Sequence, residues 1–383
     1  MKVVVAIDSF KGSLSTFQSG EAVGVGVRRV FENAEIAVCP LADGGEGTVA
    51  AIVSGCGGEM RSVTATDPLG NKISCEYGLV SKTATAVIEM SAAAGITLVP
   101  PEKRDPMVTT TYGVGEIIAD AVARGCRKFI VGIGGSATND GGVGMLSALG
   151  FEFLDKNGTP IERGARGLAD LCEIKTDKAL PELSECEFHI ACDVKNPLCG
   201  ANGCSAVYGP QKGATPETVS LMDGWLNDYA RLTQTVRPES DQSYPGSGAA
   251  GGMGFAFMSY LGGRLESGIE LVIDVTGIEE ILKTADVVVT GEGRLDGQSC
   301  MGKAPIGIAR AAKKYGKPVI AFSGCVTPDA RECNENGIDA FFPILRTPCS
   351  LEDAMNIENA SNNLADTAEQ AFRMIKTFWG TGA

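Results

Sequence analysis

Histidine, tryptophan and positive charge are all scarce in this chain of 383 residues. His189 is the single histidine, and a Ser-His-Asp hydrolase would have to use it although it lies inside the strand-like segment 187–191. Thirteen cysteines are present, but their positions do not give the paired C-x-x-C spacing of a zinc framework. We therefore expect free thiols in a reducing compartment, and neither a zinc site nor a disulfide scaffold.

Acidic residues outnumber basic ones, and the formal net charge is −14. Such a chain is a poor partner for a phosphodiester backbone or an anionic membrane, because both bind basic surfaces. No run approaches the roughly 18 uncharged apolar residues of a membrane-spanning helix. The apolar run in Met1–Asp8 is too short for a secretory signal. These features predict a cytoplasmic protein that binds neither nucleic acid nor membrane.

Glycine is abundant, with 50 residues that fall in clusters between short apolar runs and helical stretches. A β-branched run, a turn rich in Gly, Asp and Ser, and then a helix are the signature of a mainly parallel α/β sheet. Val3–Ile7 shows this pattern first, and Ser15 with Gln18 fits a capping box at the start of the next helix. The other expected strands are 35–38, 74–80, 84–90, 128–131, 188–191, 271–275, 286–289, 319–322 and 340–344, and the expected helices include those from Thr48, from about Lys303 to Tyr315 and from Leu351 to Phe378.

Between about residues 63 and 90 the pattern changes to alternating strands that look antiparallel, so the first α/β unit is interrupted. We predict a discontinuous, Rossmann-like domain with a doubly wound, mainly parallel sheet over residues 1–65 and 285–383. A second α/β domain, residues 66–284, is inserted into it. The glycine-rich segment 245–252 is expected to be a ligand-facing loop rather than a linker, because apolar residues flank it.

Acidic residues beside glycines follow four of the expected strands, at Asp8, Asp43, Asp193 and Glu292. Ligands of open α/β sheets bind beyond the carboxyl ends of the strands. Carboxylates suit Mg²⁺, one of them can accept the proton of an attacking hydroxyl, and N–H groups at helix starts bind phosphate. The set indicates metal-assisted phosphoryl transfer, although Asp and Gly are also common turn residues.

One glycine loop supports a different activity. Gly132–Ala137 matches the G-x-G-x-x-A pattern after a strand, and Asp155 follows about twenty residues later, as in dinucleotide-binding folds. The cluster Gly141–Gly144 would weaken the helix that such a loop must open. An NAD-dependent oxidoreductase therefore stays open as an alternative.

Two further glycine loops present lysines. Segment 297–304 is one residue short of a Walker A motif, because Ala304 replaces the Ser or Thr that binds Mg²⁺. We therefore expect Lys303 at a helix start, facing phosphate, and not in a P-loop. Segment 208–214 is a Gly/Pro-shaped turn that carries Lys212.

Six segments carry a shared pattern in the same order along the chain: Asp8–Ser13, Ala42–Thr48, Gly134–Gly142, Cys192–Leu198, Gly209–Ala214 and Gly291–Lys303. Together they resemble the bacterial glycerate kinase family, of the glycerate 2-kinase type found in sugar-acid and glyoxylate catabolism. The resemblance implies phosphorylation of D-glycerate with ATP and Mg²⁺, with 2-phosphoglycerate favoured over 3-phosphoglycerate. It also implies two α/β domains with the active site in the cleft between them. A non-enzymatic sugar-acid binding protein is the remaining alternative, and a homo-oligomer is compatible with the sequence.

Glycerate and ATP are anionic, so local cations must offset the acidic charge of the chain. Lys11 and Arg294 rank first, because each lies within three residues of a strand-end acid, and Asp193 is expected to be the general base. The complete set of expected residues is Asp193, Lys11 and Asp8 for catalysis; Asp43, Arg61, Asp296, Arg294 and Ser299 for substrate; Gly134, Gly135, Ser136, Asn139, Lys212 and Lys303 for the nucleotide; and Asp8 and Asp43 for the metal.

Overall fold

Two large β-sheets organise the chain in the computed structural model, which describes residues 1–42, 44–45 and 47–379. Within these residues one sheet has five strands, another has six, and a third has two. The strands are β1 (Lys2–Val5), β2 (Glu35–Val38), β3 (Glu59–Thr66), β4 (Lys72–Val80), β5 (Thr85–Glu89), β6 (Lys128–Gly132), β7 (Glu152–Leu154), β8 (Glu173–Lys175), β9 (Glu187–Ala191), β10 (Arg264–Glu266), β11 (Val287–Leu295), β12 (Val319–Val326) and β13 (Ala340–Pro343).

Helices form most of the connections between these strands. The predicted capping box is confirmed at α1, where the Ser15 and Gln18 side chains each accept a hydrogen bond from the other residue's backbone N–H. The α-helices are α1 (Thr16–Arg28), α2 (Thr48–Cys56), α3 (Ser91–Ala94), α4 (Tyr112–Ala123), α5 (Val143–Ala148), α6 (Cys204–Tyr208), α7 (Pro216–Val236), α8 (Ala249–Leu261), α9 (Gly268–Thr276), α10 (Ile278–Leu282), α11 (Ala304–Lys313), α12 (Glu332–Glu335), α13 (Leu351–Met355) and α14 (Ile357–Phe378).

The five-stranded sheet is parallel throughout, in the order β13-β12-β11-β1-β2. Its central strands are apolar on both faces, as expected where helices cover both sides of a parallel sheet. Val23 of α1 and Phe372 of α14 are fully buried in one core cluster with Val5 and Val289 of the sheet. The predicted α/β class with mainly parallel sheets is therefore confirmed.

The six-stranded sheet is mixed, in the order β10-β9-β6-β5-β4-β3. β5, β6, β9 and β10 pair in parallel, whereas β3 and β4 pair antiparallel and close one side of the sheet. The alternating pattern of residues 63–90 predicts an antiparallel arrangement, which is confirmed for the pair β4 and β5. The antiparallel strand β3 was not predicted.

Contacts within the chain divide it into two compact units. Unit 1 comprises Met1–Asp43, Ala50–Cys56 and Ile269–Ala383, and unit 2 comprises Gly44–Val49 and Gly57–Gly268. The five-stranded sheet lies in unit 1 and the six-stranded sheet in unit 2. β3 belongs to unit 2, where it pairs with β4. The division between the units therefore falls earlier in the chain than the predicted boundary after residue 65. The domain boundaries drawn from the sequence stay a prediction.

The expected strand at 271–275 is wrong, because these residues belong to α9. A short apolar run does not by itself distinguish a strand from a buried helix. Ile269, Val272 and Ile273 are buried and lie three and four residues apart, which is the spacing of one helix face. The helix from about Lys303 is confirmed, and the carboxy-terminal tract is helical but divided at Asn356.

The glycine-rich segment 245–252 is also not the ligand-facing loop that we expected. Gly246 and Gly251 are buried, and Ala250, Gly251 and Gly252 have left-handed backbone angles. A Cβ atom on Gly251 would collide with the carbonyl oxygen of Thr138. These glycines therefore allow close packing of two backbone segments inside unit 2.

All thirteen cysteines lie within the described residues, and each is a free thiol. Across residues 1–42, 44–45 and 47–379, no helix is long and apolar enough to cross a membrane.

Candidate functional site

The strand order of unit 1 creates a switch point between β1 and β11. From β1 the chain moves outward to β2, whereas β11 leads to β12 and β13 on the opposite side. The chain continues from β1 alongside β11, where the Asp8 N–H donates to the Gly291 carbonyl over 3.0 Å. The loops beyond two such strands diverge and leave a crevice, which is the usual ligand site of an open α/β sheet.

A cavity of about 600 Å³ lies in unit 1 at this position, and we call it the unit 1 cavity. Its size falls within the range of about 300–1,000 Å³ of small-molecule sites. Its charged lining residues are Asp8, Lys11, Glu292, Arg294, Asp296 and Lys303. Its large apolar lining residues are Phe10, Ile344, Leu345, Leu351 and Met355. The structure thus brings together five of the residues that the sequence assigned to the site: Asp8, Lys11, Arg294, Asp296 and Lys303.

The sequence predicted that Glu292 follows the end of a strand. This prediction is wrong, because β11 continues past Glu292 to Leu295. The strand can continue because Gly291 lets β12 approach, whereas a Cβ atom there would collide with the Phe322 carbonyl oxygen. Ser299, predicted to bind substrate, is fully buried and donates its hydroxyl hydrogen to the Glu292 carboxylate. Ser299 therefore holds Glu292 in place and is not part of the cavity lining.

The turn after β11 is tied by its own carboxylate. Asp296 Oδ1 accepts from the Gln298 N–H over 2.9 Å, and Asp296 Oδ2 lies 3.2 Å from Arg294 Nε. Gly297 donates its N–H to Asp329 Oδ2 over 3.0 Å. The Gly297 N–H is therefore already bonded to the Asp329 carboxylate. In a P-loop, backbone N–H groups of this kind would donate to the bound phosphate.

Lys303 occupies the N-cap position of α11 and lines the unit 1 cavity. The start of a helix carries free N–H groups and a partial positive charge, which the lysine reinforces. Pro305 lies in the first turn, where its missing N–H costs no helical hydrogen bond. This end of α11 is well suited to an anion.

The parallel strands of unit 2 also carry candidate residues beyond their carboxyl ends. β5, β6 and β9 are neighbours in the sheet. β5 ends at Glu89, β6 is followed by Gly134 and Gly135, and β9 is followed by Asp193. Both glycines and Asp193 are exposed. Asp193 Oδ1 accepts a hydrogen bond from the Gly268 N–H over 3.1 Å, so its carboxylate is oriented.

The rest of the Gly134–Gly142 motif is internal. Ser136 is only 8% exposed and Asn139 is fully buried, with its amide Nδ2 donating to Ser205 Oγ over 2.8 Å. Lys212 is 2% exposed, and its Nζ donates to Ser136 Oγ and to the Thr138 carbonyl, each over 2.6 Å. Lys212 is thus neither a surface turn residue nor an exposed nucleotide ligand.

One other predicted residue stands apart from these sites. Arg61 is exposed in the edge strand β3, which β4 separates from β5, and it pairs with Glu59 at 2.9 Å. Asp43, predicted to bind substrate and metal, lies outside the described residues.

Sequence analysis missed two acids that the structure places prominently. Glu89 ends β5 and accepts from the Val49 N–H in the first turn of α2 over 3.0 Å. The strand-end pattern would have identified it if β5 had been recognised as the parallel partner of β6. Asp140 is fully buried and accepts from the N–H and hydroxyl groups of Thr111 and from the N–H groups of Gly142 and Gly144. Burial raises the pKa of Asp140.

A search with protein-family models matches the chain to the glycerate kinase family over residues 3–376. The chain belongs to this family. It is 46% identical over 375 residues to a glycerate kinase of Haemophilus influenzae, with 98% of this chain and 99% of that protein aligned. It is 45% identical to a glycerate 2-kinase of Escherichia coli, with 96% and 98% aligned. A solved structure from Salmonella typhimurium LT2, assigned as glycerate kinase 2, superposes with a TM-score of 0.89 at 45% identity over 98% of both chains.

Membership of the glycerate kinase family leaves the dinucleotide alternative without support, and the geometry agrees. The loop Gly132–Ala137 does not open a helix directly, since α5 begins only at Val143. Asp155 lies in the turn after β7, where its Oδ1 accepts from the N–H groups of Asn157 and Thr159. It is therefore not placed to bind a ribose beside that loop.

Proposed function

We propose that this chain transfers the γ-phosphate of ATP to D-glycerate and forms 2-phosphoglycerate. Family membership supports the ATP-dependent phosphorylation of glycerate. The observation that carries the proposal further is the unit 1 cavity, which combines cations, carboxylates and an apolar wall at the switch point of a parallel sheet.

The cationic part of the cavity suits the triphosphate of ATP. Lys11, Arg294 and Lys303 line it, and Lys303 caps the start of α11. Arginine binds phosphate oxygens in a fork, and lysine binds them as a point charge. Local cations of this kind offset the net charge of −14 at the distances where screening is weak.

The apolar part of the cavity suits a nucleobase better than glycerate. Leu345 and Leu351 are 40% and 79% exposed, and with Met355 they form a wall that a ligand can cover. Glycerate carries an oxygen substituent on every carbon, so it has little apolar surface to bury there. An adenine ring has two broad apolar faces. We therefore assign the nucleotide, rather than glycerate, to the unit 1 cavity.

Mg²⁺ fits the same residues. Among the described residues no cluster of three side chains could hold a metal by itself, but Mg²⁺ is usually held by one or two carboxylates together with substrate phosphates. Asp8 and Asp296 line the cavity with the phosphate-binding cations, and they are the proposed protein ligands. When bound with ATP, the ion neutralises charge on the β- and γ-phosphates.

Acceptor chemistry is assigned to the strand ends of unit 2. Asp193 is the proposed general base, which takes the proton of the attacking hydroxyl of glycerate. The hydrogen bond from the Gly268 N–H orients the Asp193 carboxylate at this strand end. The exposed backbone at Gly134 and Gly135 can approach a carboxylate closely, because neither residue has a side chain.

A kinetic comparison tests the placement of the nucleotide. In Leu345→Ser, with Leu221→Ser as the control at an exposed leucine of α7 in unit 2, the KM for ATP should rise about fivefold while the KM for D-glycerate changes less than twofold. Loss of partial leucine burial costs about 1 kcal/mol, which corresponds to this factor. A raised KM for glycerate with an unchanged KM for ATP would assign the cavity to the acceptor. Product NMR then distinguishes 2-phosphoglycerate from 3-phosphoglycerate.

A further inference from the structure

Two free cysteines meet beside the unit 1 cavity. Cys300 lies in the turn after β11 and Cys333 in α12, and their Sγ atoms are 3.1 Å apart. Cys333 is fully buried, whereas Cys300 is partly exposed. They are 33 residues apart in the sequence, so the fold and not a local motif brings these thiols together.

The turn that carries Cys300 also forms part of the cavity. Its flanking residues Asp296, Gln298 and Lys303 line the cavity. The same turn is attached to the segment before α12 by the hydrogen bond from the Gly297 N–H to Asp329. A change at the sulfur pair is therefore transmitted directly to residues that we assign to ATP and Mg²⁺.

We propose that Cys300 and Cys333 are a site of reversible oxidation, at which a hydroperoxide converts the two thiols into a disulfide and lowers the affinity of the unit 1 cavity for ATP. The effect on ATP rests on the proposed function of that cavity, whereas the disulfide itself does not.

The partly exposed Cys300 is the thiol that a hydroperoxide reaches first. Its sulfur attacks the peroxide O–O bond, takes one oxygen as a sulfenic acid and releases an alcohol, or water when the oxidant is hydrogen peroxide. Cys333 sulfur then attacks the Cys300 sulfur, the S–S bond forms and the sulfenic oxygen leaves as water. Overall, two thiols lose two electrons and two protons, and one hydroperoxide is reduced to an alcohol and water.

Burial makes Cys333 the resolving partner rather than the first reactant. Burial raises the pKa of Cys333, so its thiol ionises less readily than an ordinary surface cysteine. The fold holds the Cys333 sulfur in contact with the Cys300 sulfur. This proximity favours attack by Cys333 on oxidised Cys300 although the Cys333 thiol ionises poorly.

Formation of the bond moves the turn more than the core. Bonded sulfurs lie closer than the thiols do here, and the fully buried Cys333 has less freedom to shift than the partly exposed Cys300. The displacement therefore falls on the turn between Asp296 and Lys303. Because Asp296 and Lys303 line the cavity, their displacement weakens the contacts that we assign to Mg²⁺ and ATP, and a several-fold loss of ATP affinity is expected.

Mass spectrometry and calorimetry on the full-length protein test the proposal. Hydrogen peroxide should produce a cross-linked peptide that contains Cys300 and Cys333, the Kd for ATP should rise severalfold, and dithiothreitol should reverse both changes. Cys300→Ser should abolish both effects, as should Cys333→Ser if that variant folds. Cys172→Ser, at an exposed cysteine of unit 2, should behave like the parent protein.

Three results would overturn the proposal: no Cys300–Cys333 cross-link, a cross-link with an unchanged Kd for ATP, or a loss of ATP affinity that persists in Cys300→Ser. Failure of the proposed function is detected separately. If the proposed function is wrong, the reduced protein will show no ATP turnover with D-glycerate. The cross-link and the Kd for ATP are measured without D-glycerate, so they do not depend on that turnover.

Discussion

Lys212 donates a hydrogen bond from Nζ to Ser136 Oγ over 2.6 Å, and both side chains are buried inside unit 2. A second hydrogen bond from Nζ reaches the Thr138 carbonyl, also over 2.6 Å. The lysine therefore fixes the segment that follows the exposed Gly134 and Gly135. Lys212 thus positions this loop from inside unit 2.

Burial of Lys212 should make the stability of the protein depend on pH. Burial lowers the pKa of Lys212 to about 8 from its ordinary value of 10.5. Between these values the unfolded chain binds more protons than the folded chain, so stability rises with pH in that window. Below about pH 8 both states are protonated, and the full cost of the buried charge is present.

The matched comparison is Lys212→Met, which has no titrating group at this position. Between pH 7 and pH 10.5 the parent protein should gain about 3 kcal/mol in free energy of unfolding relative to Lys212→Met. Urea denaturation of both proteins over this range measures the difference, and other titrating groups cancel. A difference that stays constant with pH would show that Lys212 does not carry the depressed pKa.

Asp193→Asn should lower kcat by about 10² or more and leave the fold intact. The amide oxygen can still accept from the Gly268 N–H, as the carboxylate does, but the side chain no longer accepts a proton. General bases contribute about 10² to 10⁴ to rate. Steady-state kinetics and thermal unfolding check the prediction, with Asp228→Asn as the control at an exposed acid of α7. Activity within about threefold of the parent would remove Asp193 from this role.

Lys303→Ala should raise the KM for ATP about tenfold or more, because a lost charge-assisted hydrogen bond costs about 1.5 to 3 kcal/mol. Ala304→Ser should leave ATP and Mg²⁺ dependence within about twofold. Ala304 is the first residue of α11 and is 1% exposed, so a hydroxyl there does not recreate a P-loop metal ligand. A large gain in Mg²⁺ affinity from Ala304→Ser, or an unchanged KM in Lys303→Ala, contradicts this placement.

Asp140→Asn should destabilise the protein by about 2 to 4 kcal/mol. The carboxylate accepts from the Thr111, Gly142 and Gly144 N–H groups, and an amide would turn its own NH₂ donors toward some of them. Urea denaturation measures the loss. Asp170→Asn, at an exposed acid of unit 2, should stay within about 0.5 kcal/mol of the parent. Equal effects at the two positions would refute the importance of the buried network.

The sequence could predict several residues that line the unit 1 cavity because the determinants are local. β-Branched runs identify β1 and β11, and residues just beyond such strands converge wherever the sheet is parallel. Asp8, Lys11, Arg294, Asp296 and Lys303 consequently line one cavity, as the motifs suggested. The capping box of α1 was equally local, since it depends on two residues three positions apart.

Features set by distant contacts could not be predicted in this way. Lys212 meets Ser136 across 76 residues of chain, and Asn139 meets Ser205 across 66 residues, so nothing in either motif indicates burial. The sequence also does not indicate the burial of Gly251, because the backbone that it packs against, at Thr138, is equally remote. The strand predicted at 271–275 is wrong for another reason, since four apolar residues interrupted only by Asp274 fit a strand and a buried helix equally well.

Release of ADP, coupled to a dehydrogenase readout, tests the central claim most directly. The purified full-length protein is assayed with ATP and Mg²⁺, with and without D-glycerate at millimolar concentration. We predict turnover that depends on D-glycerate and saturates with it. Turnover no greater with D-glycerate than with ATP and Mg²⁺ alone would contradict the assignment.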